Sequence, residues 1–297
     1  AILAERAQAF VDAMAFTFLY DPTCDLFHIG CNVNTGELDK NHYDLLASEA
    51  RIASLLAIAQ DAAPVKHWLH LGRPVTRLAN GQQALLSWSG TLFEYLLPPL
   101  LLRTYPDTLW QQTYASVIER QIDFGREKGI PWGVSESGFY TFDAALRYQY
   151  RAFGVPGVGL QRGLGEDLVV APYASLLALP FHPRAVLHNL EHFAQIKMIG
   201  RFGLYEAIDY TPERLTLGRD YAIVHSYMAH HQGMILLAIA NHLHDKRMIE
   251  RFHAAPLIQS IDLLLQEQNP QNAPAQFPHA EEALFAGPIA PAGEVAP

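Results

Sequence analysis

The stretch Leu45–Ala59, LLASEARIASLLAIA, decides the fold. Its apolar residues Leu45, Ile52, Leu55, Leu56 and Ala59 recur every three to four positions, which places them on one stripe of a helix. Working outward, the same spacing predicts helices over Leu109–Phe124, Ala185–Ile199, Tyr221–His242 and Leu257–Leu265, and AILAERAQAFVDAM at the start reads as an amphipathic helix. Helices that each carry one apolar stripe must bury it against one another. The expected class is therefore all-α, a barrel of alternating helices with the chemistry on loops at one rim. The segments DLFHIGCNV with its turn NTGELD, VGLQRGL, and DLVVAPY are too short and sparse for a main sheet and are read as β-hairpins decorating the helical body.

The 297 residues are half hydrophobic, enough for one large core, and the net charge of −9 comes without any clustered basic face. That balance argues against nucleic acid as a partner and favours a neutral ligand. Cys24 and Cys31 are too few to form a disulfide framework and read as reduced thiols. No apolar run reaches the roughly 18 to 20 residues of a membrane span, and the N-terminus lacks the layout of a signal peptide. The chain opens at Ala1 without Met, as an excised piece of something larger would. Six of its 19 prolines fall from Asn269 onward, so the folded domain is expected over residues 1–268, followed by a Pro/Ala-rich tail or inter-module linker over 269–297.

Acids inside apolar, aromatic segments carry the chemistry. They occur in YDLLASEA (Asp44, Glu49), LLSWSGTLFEYLLP (Glu94), PWGVSESGFYTFD (Glu136) and GRFGLYEAIDYTP (Glu206, Asp209). Cleaving a glycosidic bond needs two carboxylates flanking it and aromatic faces for the sugar rings, which makes Glu136, Glu49 and Glu94 the candidate catalytic acids. Each has a structural alternative. Glu136 could be an N-cap or a hydrogen-bond anchor of its loop, whereas in the catalytic reading Ser135 and Ser137 orient its carboxylate and Trp132, Phe139 and Tyr140 exclude water. Glu49 could pair with Arg51 on a helix face, and Asp209 with Arg214. Glu94 has no basic neighbour within a turn on its C-terminal side, so its charge needs a distant partner or a task.

Trp88, Tyr140, Tyr205, Glu206, His230, His231 and Gln232 are the candidate sugar-binding residues. The histidines of YMAHHQGM, with His225, lack zinc spacing, and the His188–His192 pair is a weak signal, so neither metal nor cofactor is expected. The glycines of GVPGVGLQRGLGED lack the lysine of a phosphate loop, and SWSG and SES lack the elbow of a serine hydrolase.

Taken in order, FLYDPTCDLFHIGCNVNTGELDKNHYDLLASEARIASLLAIA, HWLHLGRP, LLSWSGTLFEYLLPPLL, GIPWGVSESGFYTFD, YQYRAFGVPGVGLQRGL, DLVVAPYASLLAL, GRFGLYEAIDYTPER and SYMAHHQGM resemble the central glycoamylase-like domain of bacterial cyclic β-1,2-glucan synthases, from about Phe18 to Gln266. The resemblance implies an (α/α)6-barrel, which in the family extends further at its N-terminal side than this chain does, acting on β-1,2-linked glucan by retaining transglycosylation that closes a ring. Glu136 would be the nucleophile and Glu49 the acid/base, with Glu94 the second choice because its segment is similar to the acid-bearing helix of related, inverting β-1,2-glucanases. It also implies covalent neighbours, a glucosyltransferase module and a phosphorylase-like module, in a large protein on the cytoplasmic side of the inner membrane.

Overall fold

The computed structural model describes residues 2–270 and 274–278; the rest of the Pro/Ala-rich segment lies outside the described residues. Among these residues there are ten α-helices and twelve short strands. The all-α expectation is therefore corrected to a helical body with substantial β-structure, its strands forming five small sheets. Only Ile2–Asp12, Arg51–Ala59, Leu109–Lys128, Pro183–Gln195 and Ala229–Leu243 reach nine residues, too few to trace the six helical pairs of an (α/α)6-barrel.

The helices form where the stripe and the caps agree. Leu109–Lys128 starts where the Thr108 hydroxyl accepts the Gln111 N–H at 3.3 Å, ends at Gly129 in the left-handed region (φ 67°), and buries Trp110, Tyr114, Val117, Ile118 and Phe124. By contrast, Leu45–Ala50 is not helical. The Leu46 N–H bonds the Gly72 carbonyl, and the helix begins only at Arg51. The predicted helix from Tyr221 likewise starts late, at Ala229, because Ala222–Val224 pairs with Ala207–Asp209, which in turn pairs with Val169–Val170. A short apolar run fits either period, and here the β partners win. VGLQRGL contributes only the isolated bridge Ser87–Gly159.

Pro172–Leu177 is buried along its whole length and packs against Leu92–Leu96 and Ala229–Leu243. Residues 131–136 lie across this helix. Gly133 sits at φ 125°, and a Cβ there would stand 2.5 Å from the Ser175 hydroxyl, so only glycine allows the approach. Ser175 and Asn189 both donate to the Trp132 carbonyl at 2.7 Å. The buried Gln121 side chain bonds both the N–H and the carbonyl of Val134 at 2.9 Å. The segment before Glu136 is thus fixed on two sides before the strand Ser137–Phe142 begins.

At the C-terminal end, the Glu267 carboxylate takes the Arg73 guanidinium and the Trp68 indole N–H, and its carbonyl accepts from Leu109. Beyond it, Ala275 forms a parallel bridge with Val75. No helix among the described residues is long and apolar enough to cross a membrane.

Candidate active site

Glu136 is half-buried at the head of the strand Ser137–Phe142, which pairs with Tyr148–Arg151 so that Gly138 faces Tyr150. Side chains alternate along a strand, so Glu136, Gly138 and the cross-strand Tyr150 share one face. Gly138 has no side chain to fill that face, and two groups use the gap. The Tyr150 hydroxyl stands diagonally across from the Glu136 carboxylate and feels its charge, while Glu206 accepts the Gly138 N–H at 3.1 Å.

Glu206 is 2% exposed and its other oxygen lies 3.0 Å from Nδ1 of His231, itself 1% exposed. The imidazole stacks on Tyr173 with ring centroids 3.7 Å apart, and its Nε2 stands 3.4 Å from the Tyr150 hydroxyl. A polar chain therefore runs from Glu206 through His231 and Tyr150 toward Glu136. Burial, reinforced by the charge of Glu136, pushes the Tyr150 phenol well above its ordinary value, so it remains a hydrogen-bond donor at any ordinary pH. No sequence spacing announces Tyr150; it is found only once strand pairing places it opposite Gly138.

The expected role of the serines is corrected. Ser135 accepts the Phe93 N–H and bonds the Tyr173 hydroxyl, both at 3.0 Å, and the buried Ser137 hydroxyl has no partner. Neither serine hydroxyl is bonded to the Glu136 carboxylate. Trp132 is likewise a core residue, and Phe139 packs edge-on to Phe153 with the Arg214 guanidinium 5.1 Å from its ring centre. Tyr140, partly buried, stays on the Glu136 face among Phe142 and Tyr148.

Glu49 is half-buried in the turn before Arg51–Ala59, with the Ser48 hydroxyl 3.2 Å from its carboxylate. Arg51 does not pair with it. That guanidinium is 1% exposed, 3.4 Å above the Trp110 ring centre, and bonded to the Tyr114 hydroxyl at 2.6 Å. Burial raises the Glu49 carboxyl above the ordinary carboxylate range, and the Glu136 charge adds to this. Tyr43 feels both carboxylates and is also raised, chiefly by burial. Glu49 and Glu136 are thus near enough for their charges to interact, and Tyr43 feels both.

Glu94 has a different environment. One oxygen accepts the Ser89 N–H at 3.0 Å; the other accepts the Thr91 N–H, the Thr91 hydroxyl and the Ser87 hydroxyl at 2.9, 3.0 and 2.9 Å. With the Glu94 N–H given to Thr91, this is a capping box that starts Leu92–Leu96. Burial pushes the carboxyl up, and the Ser89 and Thr91 amides pull it down. All four neighbours donate, so the geometry accommodates the ionised form. The partner that its charge required is the backbone itself, which no search for basic residues finds.

The remaining candidates separate. His230 is exposed beside His231, ring centroids 4.1 Å apart, and burial of its ring edge lowers it. Gln232 donates to the Leu204 carbonyl at 3.0 Å and braces the hairpin of Ile199–Gly200 and Gly203–Leu204. Tyr205 meets His225 edge-on and Tyr227 at a tilt. Asp209 is fully buried and paired with Arg214, its expected partner. Trp88, 48% exposed, donates its indole N–H to Asp44 at 2.7 Å, and both line a cavity of about 480 Å³ with Leu26, Ile29, Lys40, Asn41 and His42. Cys24 and Cys31 are free thiols.

Residues 41–256 match the Glycoamylase family model. The chain is 45% identical over 287 residues to the cyclic β-(1,2)-glucan synthase NdvB of Rhizobium meliloti, covering 96% of this chain and 10% of that protein. It thus spans about a tenth of the length of this curated relative. An endo-β-1,2-glucanase from Chitinophaga pinensis, solved with sophorotriose and glucose, superposes with a TM-score of 0.63 over 91% of this chain and 65% of that one, at 18% identity, a likeness of fold. With the match covering most of its length, the chain belongs to the Glycoamylase family.

Proposed function

We propose that this domain acts on β-1,2-linked glucan by retaining transglycosylation, with Glu136 as nucleophile and Glu49 as acid/base. The observation that carries the reading is the pairing of two half-buried carboxylates in unlike environments. One lies near the Tyr150 phenol and acts on it through its charge, and the other is raised by burial and by its partner's charge. Environments that push two carboxylates apart are what an acid and a nucleophile require. Ionised Glu136 attacks the anomeric carbon while protonated Glu49 donates to the leaving oxygen; a hydroxyl of a second sugar then displaces Glu136 and returns its proton to Glu49. When His231 carries hydrogen on both nitrogens, Nδ1–H goes to Glu206, Nε2–H goes to Tyr150, and the phenol hydrogen goes to Glu136. The chain then holds the nucleophile in one rotamer.

Trp88, Tyr140, Tyr205 and His230 supply stacking faces and donors around the carboxylates, and Asp44 with Trp88 offers a ring face beside a hydroxyl acceptor. The (α/α)6-barrel architecture is part of this proposal, as is the division into a folded unit to residue 268 and a linker. Attachment to glucosyltransferase and phosphorylase-like modules at the cytoplasmic face of an inner membrane also belongs to it. The tenfold greater length of the 45% identical relative supports the existence of further modules.

Incubation with linear β-1,2-glucan, followed by mass analysis of products, tests the reading. Rings or lengthened chains of retained configuration, lost in Glu136→Gln and Glu49→Gln, are expected. The fold shared with a glucanase favours hydrolysis as the second reading, and shortened linear products of inverted configuration would establish it instead.

A further inference from the structure

Away from the carboxylates, one cluster has no part in the proposed chemistry. Tyr20–Asp21, Leu26–His28 and His42–Tyr43 form an antiparallel three-stranded sheet in which Asp21 pairs with Leu26 and His28 with His42. Paired residues point to the same side, as do residues two apart on one strand. Asp21, His28 and His42, one from each strand, therefore share a face, and their ligating atoms all lie within 4.8 Å of one another. Nε2 of His42 is 3.3 Å and Nε2 of His28 3.9 Å from the same Asp21 oxygen.

The surroundings of each group leave one inward-facing lone pair. Nδ1 of His28 is 2.6 Å from the Asp39 carbonyl; it must donate there, which leaves Nε2 bare. The other Asp21 oxygen takes the Thr23 N–H and hydroxyl at 2.8 and 2.6 Å. Nε2 of His42 is buried and faces the Asp21 oxygen at 3.3 Å. A hydrogen bond to the far nitrogen of a ligating histidine, and further bonds to a ligating carboxylate, are how metal ligands are oriented.

We propose that Asp21, His28 and His42 bind a divalent transition-metal ion, Zn²⁺ in the first instance. Two imidazoles and one carboxylate suit such an ion rather than Mg²⁺ or Ca²⁺, which take oxygen ligands. Tetrahedral zinc at its usual bond lengths separates its ligand atoms by about 3.3 Å. The Asp21–His42 pair already has that spacing at 3.3 Å, and His28, at 3.9 Å from the same oxygen, must close in on it. His42 and Leu26 also border the cavity lined by Trp88 and Asp44, where the ion's remaining coordination positions would face solvent or a hydroxylated ligand. The opposite face of the sheet carries Tyr20, Phe27 and Tyr43. Tyr43 follows His42 and stands beside Glu49 and Glu136. The ion would thus pin the strand that positions Tyr43.

The site stands independently of the carboxylate reading, so its failure leaves that reading untouched. Calorimetric titration of the metal-free chain with Zn²⁺, and in parallel with Mg²⁺, is the test. One zinc per chain at micromolar affinity is expected, with no binding of Mg²⁺, a Tm raised by about 5 °C at a hundredfold excess over Kd, and at least a hundredfold loss of affinity in His28→Ala, His42→Ala and Asp21→Asn. Should those variants fail to fold, Co²⁺ added to the wild-type chain gives a second measurement: visible absorption discharged by one equivalent of Zn²⁺ supports the site. Absence of zinc binding, absence of the cobalt spectrum, or binding unchanged in the folded variants would overturn the proposal.

Discussion

Replacing Glu94 by glutamine separates its structural role from a catalytic one. The two carboxylate oxygens each face a backbone N–H, that of Ser89 on one side and of Thr91 on the other, at 3.0 and 2.9 Å. A glutamine has one acceptor oxygen, and whichever way the amide turns, its NH₂ meets one of those N–H groups head-on. The Ser87 and Thr91 hydroxyls can at most accept from the amide, and they leave the orphaned N–H unsatisfied. Ser87 already accepts the Gly90 N–H and Thr91 the Glu94 N–H, so both hydrogens point at the carboxylate. An orphaned buried N–H costs about 1–3 kcal/mol and a lost charge-assisted bond about 1.5–3 kcal/mol, partly overlapping. The expected destabilisation of Glu94→Gln is about 3 kcal/mol, a fall in Tm of roughly 6–10 °C. Calorimetric melting of Glu94→Gln beside Glu136→Gln and Glu49→Gln is the assay. The latter two sit half-buried with few donors, and should melt within about 2 °C of wild type while losing activity. A Glu94→Gln protein that melts like wild type but produces no transfer products would refute this reasoning and make Glu94 the acid.

Other outcomes follow from the same geometry. Tyr150→Phe removes the hydroxyl that the proposed mechanism directs at Glu136; it should lower kcat by about 10- to 100-fold with little change in KM or Tm, as bonds to charged groups contribute about 1.5–3 kcal/mol, and steady-state kinetics will show it. Because burial raises the Glu49 carboxyl in the folded state, stability is fully present below its unfolded value and falls as pH rises through the folded value. Glu49→Gln should therefore gain stability over wild type as pH rises above the model-peptide value of 4.5, with no gain below it, in melts from pH 4 to 8. The basic limb of the activity profile should move to lower pH in any variant that keeps turnover while weakening the negative charge at Glu136. Gly133→Ala should cost about 2 kcal/mol or more, from the positive φ and the 2.5 Å approach to Ser175, measured by urea unfolding.

By itself the sequence determined the long helix, predicted over Leu109–Phe124 from its local stripe, the pairing of Asp209 with Arg214, and the acidic, aromatic-rich segments on which the proposed sugar site rests. Its order of motifs was enough to indicate the family. Helix starts at Arg51 and Ala229 were not legible, because Leu45–Ala50 and Ala222–Val224 take their hydrogen bonds from Gly72 and Ala207–Asp209, partners distant in the chain. What only the tertiary structure decided is the surroundings of each acid. Glu49, Glu94 and Glu136 look alike in sequence, since a carboxylate's role depends on the donors and charges around it. Those come from Tyr150 across a hairpin, Glu206 and His231 from two further elements, and a capping box whose donors are backbone amides that carry no side-chain signature. The same holds for Asp21, His28 and His42, which become neighbours only when three strands pair in register.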